Sequence, residues 1–132
     1  MCIRDSCQDN EITWLKWANF NTNLFELTKQ TIALRKQIVS LTQDQWWSGE
    51  NVQWLNIHGE PMNLEDWQNR ETKALQVVLD NRWLLLMNAK AEGQHFSLPQ
   101  GKWKAQFGTH NLTLTAQQAE LDSMGGCVLS NE

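Results

Sequence analysis

The sequence predicts a mainly β fold, an antiparallel β-sandwich preceded by one amphipathic α-helix. Two observations lead to this prediction. Between Phe20 and Leu41 the apolar residues recur at steps of three and four, which is the period of a helix. Beyond this segment the period falls to two, and six or seven short apolar runs follow one another with turns between them. Strands that are grouped, rather than alternating with helices, are typical of an antiparallel sandwich.

The helix is predicted to begin near Leu24 and to extend to Leu41. Asn23, followed three residues later by Glu26, resembles an N-terminal capping signal. Positive charge lies toward the other end, at Arg35 and Lys36, where the helix dipole favours it. A second apolar line through the same segment widens the apolar stripe, so we expect the helix to pack on more than one side. The two lines consist of Phe20, Leu24, Leu27, Thr31, Leu34, Ile38 and Leu41, and of Phe25, Ile32 and Val39.

The first strands are predicted from alternation and from one turn. Val52 and Trp54 flank Gln53, and a second run follows from Leu75 to Leu79. Asp80-Asn81 is then predicted to be a two-residue hairpin turn. The turn leads into Trp83 to Met87, whose continuous apolar character indicates a central strand.

Four more strands are predicted toward the C-terminus. Pro99-Gln100-Gly101 is a turn, since Pro presets φ and Gly relaxes the exit, and Gly125-Gly126 is also predicted to be a turn. The corresponding strands pass through Phe96 and Leu98, through Trp103, Ala105 and Phe107, through Leu112 and Leu114, and through Cys127 to Leu129.

Size and charge limit the classes of function. A chain of 132 residues is one ordinary domain, and its net charge of −4 with scattered basic residues argues against a nucleic-acid partner. The longest apolar run, Trp83 to Met87, is far shorter than the roughly 18 residues of a membrane span, so no membrane partner is predicted. Three cysteines, Cys2, Cys7 and Cys127, lack metal-ligand spacing, and no signal-peptide core precedes them. We therefore expect reduced thiols in a cytoplasmic protein.

A reaction centre is not visible in the residues themselves. A glycosidase needs two carboxylates about 5 to 10 Å apart across the scissile bond. Glu65 and Asp66 are adjacent in a predicted loop, and adjacent side chains diverge. The histidines His58, His95 and His110 lack the spacing of a metal motif. We predict no catalytic residue, no metal and no cofactor in this chain.

Eight Trp residues and no Tyr are an unusual aromatic choice, and two interpretations of them stay open. An indole face stacks on a sugar ring, so the chain could be a stand-alone carbohydrate-binding sandwich. Such a module would present Trp54, Trp67 and Trp103 exposed and coplanar on one face. The alternative is that the indoles fill cores and interfaces, where Trp residues are also common.

Four motifs follow one another along the chain. They are CQDNEITWLKW at 7–17, ALRK at 33–36, NVQWL with GEPM and EDW between 51 and 67, and LPQGKW at 98–103. In this order and at these spacings they resemble bacterial glycogen debranching enzymes, the isoamylase-type members of glycoside hydrolase family 13. The first six residues, MCIRDS, do not match this family. They are similar to translated sequencing-adaptor sequence, so we exclude 1–6 from the fold as a non-native leader.

The resemblance implies that the chain is the C-terminal part of such an enzyme. Residues 7–45 would be the end of a (β/α)₈ barrel, with its last helix, and residues 46–132 a C-terminal β-sandwich. The barrel needs roughly 250 residues, and the family's catalytic carboxylates lie upstream of the CQDN segment. The parent would cleave α-1,6 branch linkages in glycogen or branched α-glucans. This chain is then expected to be inactive alone and to pack on the barrel as a cover.

The resemblance also implies a tentative substrate-binding position. Asp9 and Asn10 would lie on a loop that follows a barrel strand, where barrel enzymes place their functional groups. They would line the sugar cleft, or else only cap and tether the loop, and both alternatives stay open. Trp14 and Trp17 are expected to anchor that loop against the barrel.

Overall fold

The computed structural model describes residues 11, 14, 16–108 and 111–132, which form two antiparallel sheets preceded by one main helix. Asp9, Asn10 and the six-residue leader lie outside the described residues. The helices are α1 (Thr22–Arg35) and the short α2 (Leu64–Gln68), and 3-10 turns span Trp17–Asn19 and Val39–Leu41. The strands are β1 (Val52–Leu55), β2 (Ala74–Leu79), β3 (Trp83–Asn88), β4 (Gln94–Ser97), β5 (Trp103–Gly108), β6 (Leu112–Leu114), β7 (Gln118–Leu121) and β8 (Gly125–Asn131).

The two sheets form the predicted antiparallel sandwich. The larger sheet has the order β1-β2-β3-β8-β5 and the smaller one the order β4-β7-β6. Their facing sides enclose one hydrophobic core, in which Leu84, Leu86, Phe96, Leu121 and Leu129 are fully buried. Both the mainly β fold class and the grouping of the strands are therefore confirmed.

The predicted hairpin is confirmed in its backbone geometry. Asp80 and Asn81 have φ angles of 54° and 50°, and the Arg82 amide donates to the carbonyl oxygen of Leu79 at 3.0 Å. Two left-handed residues in a row define the type I′ turn that matches the twist of paired strands. The turn sets β2 beside β3 with Leu79 opposite Trp83, so β3 is the central strand that its apolar run predicted.

Gly125 and Gly126 open β8, so their prediction as a turn was wrong. The chain turns earlier, around Met124, which has a φ of 51°. A Cβ on Gly125 would lie 3.0 Å from the carbonyl oxygen of Asp122 and 3.2 Å from the side chain of Leu121. The glycine therefore serves close packing of β8 beside this turn. The preceding strand β7 was missed, because only its Ala119 and Leu121 face the core.

The helix is shorter than predicted. It begins at Thr22, where the Asn21 side chain accepts a hydrogen bond from the Leu24 amide at 3.0 Å, so the cap is Asn21 and not Asn23. It ends at Arg35, six residues before the predicted end. Ile38 has an extended backbone, and its side chain, 2% exposed, packs against the larger sheet. Packing on the sheet thus overrides the helical periodicity after Arg35.

The larger sheet is apolar on both sides. We call the side that faces away from β4, β7 and β6 the outer face. Ile38 covers part of it, in a second buried cluster with Val52, Val77, Leu79 and Trp83. Leu34 and Leu41 pack against the margin of this cluster, so the segment that leaves α1 lies on the outer face.

Candidate functional site

In the acidic pair Glu65-Asp66, Asp66 has a structural role. Glu65 and Asp66 lie in the first turn of α2, so their prediction as loop residues was wrong. The Asn63 side chain accepts from the Asp66 amide at 2.9 Å, and Asp66 Oδ2 accepts from the Asn63 amide at 3.1 Å. This reciprocal pair is a capping box, which satisfies two backbone donors at the start of a helix. Asp66 is therefore used to start α2.

A polar cleft of about 220 Å³ lies beside α2, between the loops around β1, β2 and β3. Its lining includes the side chains of His58, Asp66, Glu71, Lys73 and Lys90. Lys73 lies 3.5 Å from Glu71, and Lys90 Nζ donates to the side chain of Gln94 at 2.7 Å. Both lysines therefore already contact neighbouring side chains, and we interpret the cleft as a junction between loops.

Among the described residues, the remaining candidate groups for metal or nucleophilic chemistry are dispersed, whereas Cys2, Cys7 and His110 lie outside that part of the chain. The described part of the chain contains no group of three or more His, Cys, Asp or Glu residues placed to hold a metal ion. Exposed His95 lies 3.8 Å from Glu120 on the neighbouring strand. Cys127 is a free, buried thiol, and desolvation by burial raises its pKa from 9.0 to about 11. A thiol with that pKa is protonated at neutral pH and is a poor nucleophile.

Across the described ranges, no helix is both long and apolar enough to cross a membrane.

Three indoles meet at the outer edge of the larger sheet, and we call Trp47, Trp54 and Trp67 the tryptophan cluster. The ring centroids of Trp47 and Trp54 are 6.3 Å apart with the planes tilted by 52°. Those of Trp54 and Trp67 are 5.7 Å apart at 68°, an edge-to-face arrangement. The exposed fractions are 51% for Trp47, 36% for Trp54 and 52% for Trp67, so the cluster is only partly covered.

Hydrogen bonds position three segments of the chain to form the cluster. Trp54 is held in β1, and the Met62 amide donates to its carbonyl oxygen at 2.9 Å, which returns the chain toward α2 and Trp67. The indole Nε1 of Trp47 donates to the carbonyl oxygen of Ser40 at 2.9 Å. Sequence reasoning did not single out Trp47. The available signal was the Trp46-Trp47 pair shortly before the first strand.

The geometry does not fit a stand-alone sugar-binding platform. Trp103 is half-buried, packs against the core between the sheets and donates from Nε1 to the carbonyl oxygen of Pro99 at 2.7 Å. Trp54 and Trp67 lie in the tryptophan cluster with their planes 68° apart. The three indoles that a carbohydrate-binding module would align are therefore neither coplanar nor together in one cluster.

The predicted substrate-binding residues, Asp9 and Asn10, lie outside the described residues, so their role stays a prediction. Trp14 and Trp17, from the same motif, are 59% and 74% exposed.

Comparisons with known proteins agree with this architecture. A family model described as the glycogen debranching enzyme C-terminal domain matches residues 47–128. The glycogen operon protein GlgX homolog of Haemophilus influenzae is 80% identical over 126 residues, which is 96% of this chain and 19% of that protein. Glycogen debranching enzymes of Pectobacterium carotovorum and Cronobacter sakazakii are 45% and 43% identical, over 74% and 75% of this chain and 15% of each enzyme. The chain thus spans less than a fifth of the length of these relatives. It belongs to the family of glycogen debranching enzyme C-terminal domains.

Proposed function

We propose that this chain is the C-terminal part of a glycoside hydrolase that cleaves α-1,6 branch linkages in glycogen or related branched α-glucans. The observation that carries the proposal is the family match over the sandwich, together with relatives named for glycogen debranching. In this proposal residues 7–45 end the catalytic barrel and residues 46–132 form the accompanying sandwich. The enzyme works in the cytoplasm.

The catalytic carboxylates belong to the part of the polypeptide that precedes this chain. Support comes from the described acids, several of which already have structural partners. Asp66 caps α2, Glu71 pairs with Lys73, and Asp80 accepts a hydrogen bond from the backbone of Ser40. The sandwich interior is filled by apolar side chains, as expected of a supporting domain.

The sandwich serves as a cover that packs on the barrel. Support comes from α1, the last helix of the barrel in this proposal, which adjoins the sandwich at Leu34 and leaves apolar side chains exposed, among them Leu24, Phe25 and Ile32 at 59%, 49% and 50%. Several large apolar side chains exposed on one helix are typical of an interaction site in a folded protein. The barrel that the family carries would bury it.

The proposal is tested by comparing the purified chain with the longer protein that contains it. Both are incubated with a branched α-glucan, and the release of linear chains and of new reducing ends is measured. We expect hydrolysis by the longer protein and none by the chain. Hydrolysis by the chain alone, or intact branch points after treatment with the longer protein, would overturn the proposal.

Asp9 and Asn10 contact the glucan in this proposal. In the longer protein, Asp9→Ala and Asn10→Ala should raise KM for the branched glucan more than they lower kcat, because contacts to bound substrate are lost. Glu11→Gln, the neighbouring substitution, is the matched control. A lowered melting temperature with unchanged KM would instead indicate that the pair only tethers its loop.

A further inference from the structure

We propose that the outer face, together with the tryptophan cluster, is the surface through which the sandwich docks on the catalytic part of the same polypeptide. This inference rests on the proposed function and names the interface that it requires. The occupant is a protein surface of apolar character, contributed by residues that precede this chain in the longer relatives.

The first argument is the composition of the outer face. Strand register places Trp54, Val77, Leu85, Val128 and Phe107 in one row across all five strands. Val77 is buried beneath the segment around Ile38, whereas Leu85, Val128 and Phe107 are only partly buried, the first two at the margin of that cluster. An antiparallel sheet that faces water on one side normally alternates to polar residues there. An apolar row on every strand indicates that this side is covered in the complete protein.

The second argument is the path by which the chain reaches the sandwich. Two hydrogen bonds fix the segment that covers part of the outer face. The Ser40 amide donates to Asp80 Oδ2 at 3.0 Å, and Trp47 Nε1 donates to the Ser40 carbonyl oxygen at 2.9 Å. This segment joins the sandwich to α1. Because the sandwich matches a C-terminal-domain family model, most of the length of relatives more than five times longer is expected to precede it. The preceding part of the polypeptide therefore approaches from the outer face.

The third argument distinguishes a protein surface from a glucan. A sugar-binding surface needs polar groups that converge on hydroxyls, beside its aromatic rings. In the row across the outer face the indole N–H of Trp54 is the one hydrogen-bonding side-chain group, since Val77, Leu85, Val128 and Phe107 have none. A row of apolar side chains that continues into an aromatic cluster has the composition of a permanent protein interface.

The experiment compares the accessibility of the indoles in two contexts. The purified chain and the longer protein are each exposed to a brief pulse of hydroxyl radicals, and oxidation of each Trp is measured by mass spectrometry. In the longer protein we expect oxidation of Trp67 and Trp47 to fall roughly fivefold, because docking would cover the tryptophan cluster and exclude solvent from it. Met124, 67% exposed in the turn before β8, is the internal control and should be oxidised equally in both.

A variant pair adds a second readout. Trp67→Ser should lower the melting temperature of the longer protein by more than that of the chain, because in the chain Trp67 packs on Trp54 and is still half-exposed. Met124→Ser should change neither. Activity is not the readout, so the docking surface is tested independently of the proposed reaction.

Three results would overturn the inference. Equal oxidation of Trp47 and Trp67 in both contexts would show that the outer face stays open. Protection in the chain alone that grows with its concentration would assign the surface to a second copy. Protection of the longer protein that requires added branched glucan would assign it to the substrate.

Discussion

Gln76 is the polar side chain on which the joint between the two sheets depends most clearly. It is fully buried on the inner side of β2. Its Nε2 donates to the carbonyl oxygen of Asn56, in the loop after β1, at 2.9 Å and to that of Ser97, at the end of β4, at 2.8 Å. One amide therefore ties the larger sheet to the smaller one. We expect Gln76→Ala to destabilise the sandwich strongly.

The magnitude follows from the groups that are lost. Each of the two hydrogen bonds contributes about 0.5 to 1.5 kcal/mol net, and a vacated carbonyl oxygen that stays buried costs more. The loss is partly offset at Asn56, whose carbonyl oxygen also accepts from the Gly59 amide at 3.1 Å. It is also offset by removal of Gln76 Oε1, which is buried without a partner among the described residues. With the lost methylene packing, the free energy of unfolding should fall by about 2 to 3 kcal/mol.

The assay is urea unfolding at low protein concentration, followed by circular dichroism. Gln76→Leu keeps most of the volume but not the donors, so it should cost about 1 to 2 kcal/mol. Gln53→Ala is the matched control on the adjacent strand, because Gln53 is exposed and its contact to Asn81 is long, at 3.5 Å. It should change stability by less than about 0.5 kcal/mol. Equal effects of Gln76→Ala and Gln53→Ala would refute this reasoning.

Three further predictions concern the turn, the thiol and the helix. Asn81→Val should lower the free energy of unfolding by about 1 to 2 kcal/mol in the same assay, because a β-branched residue is strained at a φ of 50°, whereas Asn81→Gly should be nearly neutral. Burial raises the pKa of the Cys127 thiol from 9.0 to about 11, so the unfolded chain loses this proton at a lower pH than the folded chain does. The free energy of unfolding should therefore be unaffected below pH 9.0 and should fall as the pH rises toward about 11. Urea midpoints measured across this range should show the decline, and Cys127→Ala should not. The isolated chain should associate through α1 or show a loosely docked helix, because α1 exposes large apolar side chains. Phe25→Glu combined with Ile32→Lys should reduce this association, as measured by sedimentation velocity. A cooperative melt of a monomeric, unsubstituted chain would contradict the prediction.

Local pattern predicted most of the sheet. β2, β3 and the turn between them were predictable because alternation and two left-handed residues act within a few positions of the chain. β7 was not, because Gln118 and Glu120 leave it only two core residues. The six residues after Arg35 keep a helical period, yet Ile38 leaves the helix to pack on the sheet. Contacts distant in sequence decided that boundary.

The candidate site was less accessible to sequence reasoning. The substrate-binding prediction for Asp9 and Asn10 came from family resemblance and still rests on it. Trp54 and Trp67 were singled out because they stand in a recognisable motif, whereas Trp47 joins them only through the contact of its indole with Ser40. No spacing rule links residue 47 to a sheet edge, because the link depends on where the preceding segment lies.

The sequence by itself determined the sandwich class, the central strand, the two-residue hairpin and the relationship to glycogen debranching enzymes. Those properties follow from short-range periodicity, from turn residues and from the order of the motifs, all of which can be observed directly in the sequence. The tertiary structure decided where α1 ends, which acids are used in caps and ion pairs, and which side of the larger sheet is left partly uncovered. Each of these depends on which side chains are buried. That is decided only when strands distant in sequence, such as β3 and β8, pair and thereby place their side chains on a common face.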